Sequence, residues 1–302
     1  MSGGSTRRRF LTLSAAALAA PGAAFAARDR TVTRWRGVAL GAEAEVTLRG
    51  PREGAEAALA AVRAALEEAE ALFSLYCDDS VLARLNREGR LAAPPRRFID
   101  LLALANRVWR ATDGRFDPTV QPLWRALATG GDAAAARAKI GWGRVSLGSD
   151  VQLGEGQALT LNGIAQGFAT DMAAEALAAY GYAETLTNIG EFRAGTGDWR
   201  VGVADPEAGL LRTARLSGTA IATSSPGATR VGGSPHIFGP SGEPPRWSTV
   251  AVEARTAALA DAASTAFCLM DTAAVERAMA RLPEIRRVTL AEAGGDFRVV
   301  KA

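Results

Sequence analysis

The chain holds one histidine and two cysteines in 302 residues, and each shortage closes off chemistry. Cys77 and Cys268 lie far apart, and neither has a histidine beside it, which disfavours a thiol nucleophile. In an oxidising compartment the two can pair, although thiols on separate helices are more often buried apart. His236 is the only side chain that titrates near neutrality without a shifted pKa. Surplus charge is scarce too. The formal net charge is +3, and Arg7, Arg8 and Arg9 account for all of it, so residues 27–302 are formally neutral. A neutral body gives no electrostatic reason to invoke nucleic acid or anionic lipid as a partner. No repeat or long linker interrupts the chain, and the apolar run from Phe10 to Ala20 is too short to span hydrocarbon comfortably.

That run does carry an address. Thr6-Arg7-Arg8-Arg9-Phe10-Leu11 opens it and Ala24-Phe25-Ala26 closes it, the pattern of a twin-arginine signal peptide with an A-x-A cleavage site. Residues 1–26 are read as the leader and residues 27–302 as the mature domain, exported folded to the periplasm and left without a membrane span. With 48% hydrophobic residues, the remainder suits a globular body with a sizeable core.

Periodicity predicts a strand within Val32 to Leu48 and an amphipathic helix from Glu53 to Phe73, with Leu59, Val62, Leu66, Ala69 and Phe73 on one face. Further helices are predicted over Arg97 to Thr112, Ile164 to Tyr180, from Thr256 onward and over Thr272 to Arg281. Short strands are predicted within Gly141 to Leu161, and longer ones over Thr185 to Ile189, Trp199 to Val203, Thr213 to Thr223, Ser248 to Val252, Val288 to Leu290 and Phe297 to Val300. Helices and strands mix without a βαβ rhythm. The fold class is therefore α+β, around a largely antiparallel sheet with flanking helices.

Within this frame, Ala260-Asp261-Ala262-Ala263-Ser264-Thr265 places a carboxylate and a hydroxyl one helical turn apart. Such oxygens suit Mg²⁺, and the same spacing also describes an ordinary solvated helix face with an i,i+4 hydrogen bond. Leu161-Asn162-Gly163-Ile164-Ala165-Gln166-Gly167 puts two glycines at a strand-to-helix junction, where backbone can approach a ligand and helix amides favour an anion; packing glycines at a helix entry explain it equally. Asp117, between Phe116 and Pro118, suits a ribose contact or a simple N-cap. Tyr76 suits a base edge or a capped core. His236 lies in a Gly- and Pro-rich loop, placed as a general base or merely structural.

Taken together these segments resemble the ApbE-type FAD:protein FMN transferases. Phe73-Ser74-Leu75-Tyr76 with Asp79-Ser80 is similar to the family's F-S-x-Y-x-x-D-S segment, Gly114-Arg115-Phe116-Asp117-Pro118-Thr119-Val120 to G-x-F-D-x-T-V, and Gly163-Ile164-Ala165-Gln166-Gly167 to the I-A-(K/E)-G motif. Asn188-Ile189-Gly190 resembles N-(I/V)-G-G, and the helix from Thr256 resembles A-x-A-D-A-x-x-T. The resemblance implies an ApbE-like (T-fold-related) domain that moves FMN from FAD to a Thr or Ser hydroxyl of a periplasmic or membrane redox protein, with Mg²⁺ as cofactor and AMP released. It implies Asp261, Thr265 and the Gly163 carbonyl as metal ligands, and Tyr76, Asp117, Gln166, Ile189 and His236 around the FAD. His236 would be the base for the incoming hydroxyl.

Departures cluster near His236. The family's H-I-I-D-P-x-T-G loop reads His236-Ile237-Phe238-Gly239-Pro240-Ser241-Gly242, one residue shorter and without the aspartate, and N-(I/V)-G-G ends in Glu191. Ala-Thr-Ser continues as Ser225-Pro226 instead of glycine. These changes point to acceptor transfer as the step at risk, with FAD hydrolysis to FMN and AMP, or non-catalytic flavin carriage, as the alternatives.

Overall fold

The structure, a computed structural model, describes residues 31–302. The leader read over residues 1–26 lies outside the described residues. In chain order the elements are β1 (Thr31–Ala39), β2 (Ala42–Gly50), α1 (Ala55–Phe73), α2 (Val81–Glu88), β3 (Arg90–Ala92), α3 (Arg96–Ala111), α4 (Gln121–Thr129), α5 (Ala133–Arg137), β4 (Ser146–Leu147), β5 (Asp150–Gln152) and α6 (Ala165–Ala179). Then come β6 (Glu184–Ile189), β7 (Phe192–Ala194), β8 (Trp199–Asp205), β9 (Gly209–Leu216), β10 (Ala220–Ser224), β11 (Arg230–Val231), β12 (Ser234–Pro235), β13 (Thr249–Ala254), α7 (Ala257–Phe267), α8 (Thr272–Arg281), β14 (Ile285–Ala291) and β15 (Phe297–Lys301).

One eight-stranded sheet runs in the order β1-β2-β6-β7-β10-β13-β14-β15, and every neighbouring pair is antiparallel. Side chains alternate between its faces. Ile189, Ala222, Val250 and Val252 face the helices and join Leu59, Val62, Leu66, Phe98 and Leu102 in the main core. Leu186, Ile221 and Ala251 face the opposite way, onto Trp199, Val201 and Val203 of the β8–β9 hairpin. Each such large side chain removed from water contributes about 1.5–3 kcal/mol. The sheet is therefore sandwiched between a helical layer and a hairpin.

Two expected strands resolve into four. The segment from Val32 to Leu48 is a hairpin, turning at Leu40 and Gly41 with φ of 49° and 77°. Leucine in the left-handed region is not a turn signal, so alternation ran on through the bend. The segment from Thr213 to Thr223 breaks at Gly218, with φ of 62°. Within Gly141 to Leu161 only β4 and β5 form. Helices α2, α4 and α5 lie outside the expected set, although Ser80 caps α2 through its side chain and Gly89 ends it with φ of 70°.

The layer that matters for the site is the junction of α6 and α7. Asp171 on α6 accepts from the Ala257 and Ala258 amides at 2.9 Å each, capping α7 from a neighbouring helix, and pairs with Arg193 at 2.8 Å. Gly167 lets the two helices meet. A Cβ there would lie 2.4 Å from the Ala257 carbonyl oxygen.

Candidate functional site

At the start of α6 the Gly167 amide donates to Asp261 Oδ2 at 3.0 Å, across to α7. Gly167 is the third residue of α6, so its amide is one of those at a helix N-terminus that have no carbonyl within the helix to bond. The Gly163 carbonyl lies just ahead of the helix, and among the described residues no hydrogen bond reaches it. One turn along α7, Thr265 packs on Gly163 so closely that a Cβ would fall 2.9 Å from its hydroxyl oxygen. Asp261, Thr265 and Gly163 thus converge at one point. The anion at the α6 N-terminus is the Asp261 carboxylate itself.

Serines close one side. Ser224 Oγ lies 2.7 Å from Ser264 Oγ and 3.5 Å from Thr265 Oγ1, and the Ser264 hydroxyl donates to the Asp261 carbonyl at 2.9 Å. Glu191 closes another, entering from the β6–β7 turn. Its Oε2 accepts from the Thr223 amide at 3.0 Å. Gly190 makes this turn with φ of 93°, beneath Gln166, whose Cδ would stand 3.0 Å from any Cβ there.

Asp261 is 4% exposed and Glu191 6%. Burial excludes the alternative of a solvated helix face for Asp261, since the neighbours of this Ala-rich helix cover it. Burial pushes the Asp261 carboxyl up to about 7, with the Gly167 amide opposing. Glu191 is pushed well up, by burial first and the Asp261 charge second. The hydrogen bonds of both come from neutral backbone amides, so neither charge is compensated.

Two buried carboxylates, a hydroxyl and an unbonded carbonyl make an all-oxygen donor set, which fits a hard divalent cation such as Mg²⁺ and not a soft one. Among the described residues no three His, Cys, Asp or Glu side chains converge as a metal cluster. The fit rests instead on hydroxyl and backbone oxygens beside the carboxylates. A cavity of about 550 Å³, lined by Arg246, Trp247, Asp271 and Arg298, opens beyond the C-terminal end of α7, and none of these residues belongs to the donor set.

His236 stands just after β12. Its amide donates to the Thr229 carbonyl at 3.1 Å, and its ring Nδ1 lies 3.0 Å from the Pro226 carbonyl and 3.3 Å from that of Thr229. Carbonyl oxygens only accept, so Nδ1 carries the proton and Nε2 keeps a lone pair. Burial holds the imidazole below its ordinary pKa, with the carbonyls opposing. The ring is a neutral base by construction. Its hydrogen bonds do not extend to Asp261 or Thr265.

The remaining expected residues divide. Gln166 borders the donor set through Gly190. The Ile189 side chain is fully buried in the core, so only its backbone can face a ligand. Asp117 spends both oxygens inside the protein, Oδ1 on the Thr119 amide at 2.8 Å and hydroxyl at 2.5 Å, Oδ2 on the Trp142 amide at 3.1 Å. It is the N-cap of a short turn, Pro118–Val120. Tyr76 stands exposed on the loop between α1 and α2, its amide held by Ser74 Oγ at 3.1 Å. Cys77 is exposed and Cys268 buried, both as free thiols. Glu191 and Ser224 are the members of the site that the sequence reading left unassigned. An acid between Gly190 and Phe192, in a strand-forming run, is the signal that marks Glu191.

The family model described as "ApbE family" matches residues 40–289. The fold is similar to that of the flavin transferase ApbE from Vibrio cholerae, at 21% identity and a TM-score of 0.73, covering 90% of this chain and 98% of that one. A histidine-to-glycine mutant of that protein matches at a TM-score of 0.74. The apo flavinyl transferase ApbE of Pseudomonas stutzeri is similar at 24% identity and a TM-score of 0.75, covering 90% and 94% of the two chains. The ApbE protein from Thermotoga maritima gives 23% and 0.75, with 89% and 96% covered. No curated protein matches the sequence.

Proposed function

This chain belongs to the ApbE family, and we propose that it is an Mg²⁺-dependent FAD:protein FMN transferase. The observation that carries the reading is the Gly163 carbonyl, which no hydrogen bond reaches among the described residues, beside the Thr265 hydroxyl and the buried, uncompensated Asp261 carboxylate. Asp261, Thr265 and Gly163 would hold the cation, with Glu191 adding a second negative charge close by. Mg²⁺ bound there neutralises charge on a diphosphate.

The transfer exchanges a phosphoanhydride bond for a phosphoester. The acceptor hydroxyl oxygen bonds to the FMN phosphorus, the bond from that phosphorus to the bridging oxygen breaks, and AMP leaves with the oxygen and its electron pair. His236 Nε2 takes the hydroxyl proton, since its partner nitrogen is committed to Pro226 and Thr229. Gln166 and the Ile189–Gly190 turn border the flavin half. The leader over residues 1–26 would deliver the folded protein to the periplasm, where the acceptor is a flavin-accepting redox protein. Among the described residues no helix is long and apolar enough to cross a membrane.

Incubating the purified protein with FAD, Mg²⁺ and a Thr-bearing acceptor protein tests this. FMN bound covalently to the acceptor, with matching AMP, is the expected result. AMP without labelled acceptor makes the protein an FAD pyrophosphatase, and tightly held FAD with neither product makes it a flavin carrier.

A further inference from the structure

Among the described residues, one ion pair ties the loop after His236 to the body of the protein. Ile237 packs against the main core, and the chain then leaves it and curls back on itself: the Gly242 amide donates to the Gly239 carbonyl at 2.8 Å, and the Gly239 amide to the Glu243 carbonyl at 2.9 Å. Inside that curl the Glu243 carboxylate accepts from the Ser241 amide at 3.0 Å through Oε2 and pairs through Oε1 with Arg115 Nη1. Arg115 comes from a distant part of the chain, 128 residues away, between α3 and the turn that Asp117 caps.

Gly239 explains why the carboxylate fits. It is buried, and a Cβ there would come within 2.1 Å of Glu243 Oε2 and 2.8 Å of its Cδ. Its backbone is outside the left-handed region, so what a side chain here would meet is steric, and the three nearest atoms all belong to Glu243. In the resembling motif this position carries an aspartate. Here the acid has moved four residues along the chain and occupies the space that a side chain at position 239 would need.

We propose that Arg115 and Glu243 are positioning residues that latch the His236 loop to the body, so that Nε2 faces the incoming hydroxyl. The proposal rests on the reading of this chain as a flavin transferase. A surface ion pair contributes little to stability. Its worth here lies in geometry, since displacing a catalytic group by about 1 Å costs up to about 100-fold in rate.

Because His236 is the only histidine, protein freed of any polyhistidine tag gives a single set of imidazole NMR signals. In E243Q and G239A we expect the imidazole Hε1 resonance to shift or broaden, with kcat for AMP release from FAD lowered about tenfold and KM for FAD within about twofold. The two changes should not add in the double variant, because G239A acts by pushing the Glu243 carboxylate aside. R115A should match them, and R115K, which keeps the charge, should recover most of kcat. Unmoved imidazole signals in E243Q and G239A, or singles that transfer at the wild-type kcat, overturn the latch. Circular dichroism confirms that each variant is folded. If the wild type releases no AMP even with the acceptor present, the transferase reading falls, while the imidazole signals still decide the latch.

Discussion

Gly167 and Asp261, ninety-four residues apart, are joined by an amide-to-carboxylate hydrogen bond of 3.0 Å that ties the first turn of α6 to the middle of α7. The bond does two things at once. It satisfies an orphan helix amide, and it holds Asp261 at the start of α6 beside the Gly163 turn, so the helix junction and the donor set are one construction. Gly167→Ala should disturb both, because its Cβ would meet the Ala257 carbonyl oxygen at 2.4 Å, and backbone on both sides leaves little room to relax. The expected loss is about 1–3 kcal/mol in urea unfolding, together with weaker Mg²⁺ binding by calorimetry. Wild-type values for both would mean that the helices do not meet as described.

Asp261→Asn removes the charge and keeps the shape. Since Asp261 is buried without a cation, the Mg²⁺-free variant should be at least as stable as the wild type at pH 8, while the rise in Tm on adding Mg²⁺ disappears. Asp261→Ala is a less clean test, because deleting a buried side chain leaves a hole. A variant that still gains wild-type Tm with Mg²⁺ would remove Asp261 from the metal site.

The direction of the pH dependence follows from the same burial. A carboxyl whose folded pKa is raised binds its proton more tightly folded than unfolded, so it subtracts stability as pH rises from its ordinary 3.8 to about 7. Glu191 acts in the same direction. Glu243, Glu284 and Asp150, all lowered, act the other way. The quantity to measure is therefore the difference between wild type and Asp261→Asn. In the absence of metal, the wild type should lose ground to the variant between about pH 4 and pH 7 and hold level above. The Mg²⁺-induced gain should grow over the same window, since the metal needs the ionised form. A difference that is flat with pH would contradict the buried, uncompensated carboxylate.

Glu191→Gln probes the second charge. Glutamine can still accept from the Thr223 amide, so the turn at Gly190 should hold. Removing one of two neighbouring buried carboxylates should weaken Mg²⁺ binding by roughly tenfold or more. Unchanged Mg²⁺ affinity would assign Glu191 to the fold alone.

Much of this arrangement was legible in the residues because its rules are local. The stripe from Leu59 to Phe73 gave α1 at the right place, and Thr256 and Gly181 marked helix ends through their own side chain or φ. Asp261 and Thr265 share a helix turn, which spacing reveals. Their burial does not follow from spacing: it depends on α6, β10 and β13 closing over α7, and only the sheet order brings these together. For the same reason Asp117 read as a possible ligand, whereas its partner Trp142 lies 25 residues on. Glu191 read as the loss of a glycine because its value lies in meeting Asp261, seventy positions away in sequence.

His236 offers the most direct test of the chemistry. The carbonyls of Pro226 and Thr229 fix the proton on Nδ1, and burial disfavours the imidazolium, so the folded pKa lies below the ordinary 6.5. A group shifted this way is a neutral base at pH 7 and fails only as pH drops beneath its usual range. Asp261 titrates higher, so the two limbs overlap unless metal competes the Asp261 proton away. Measured at saturating Mg²⁺, the acid limb of kcat for FMN transfer should fall below pH 6.5. His236→Ala should abolish that limb and lower kcat by about 10²–10⁴, leaving KM for FAD within about twofold. An acid limb that survives the substitution would place the base elsewhere.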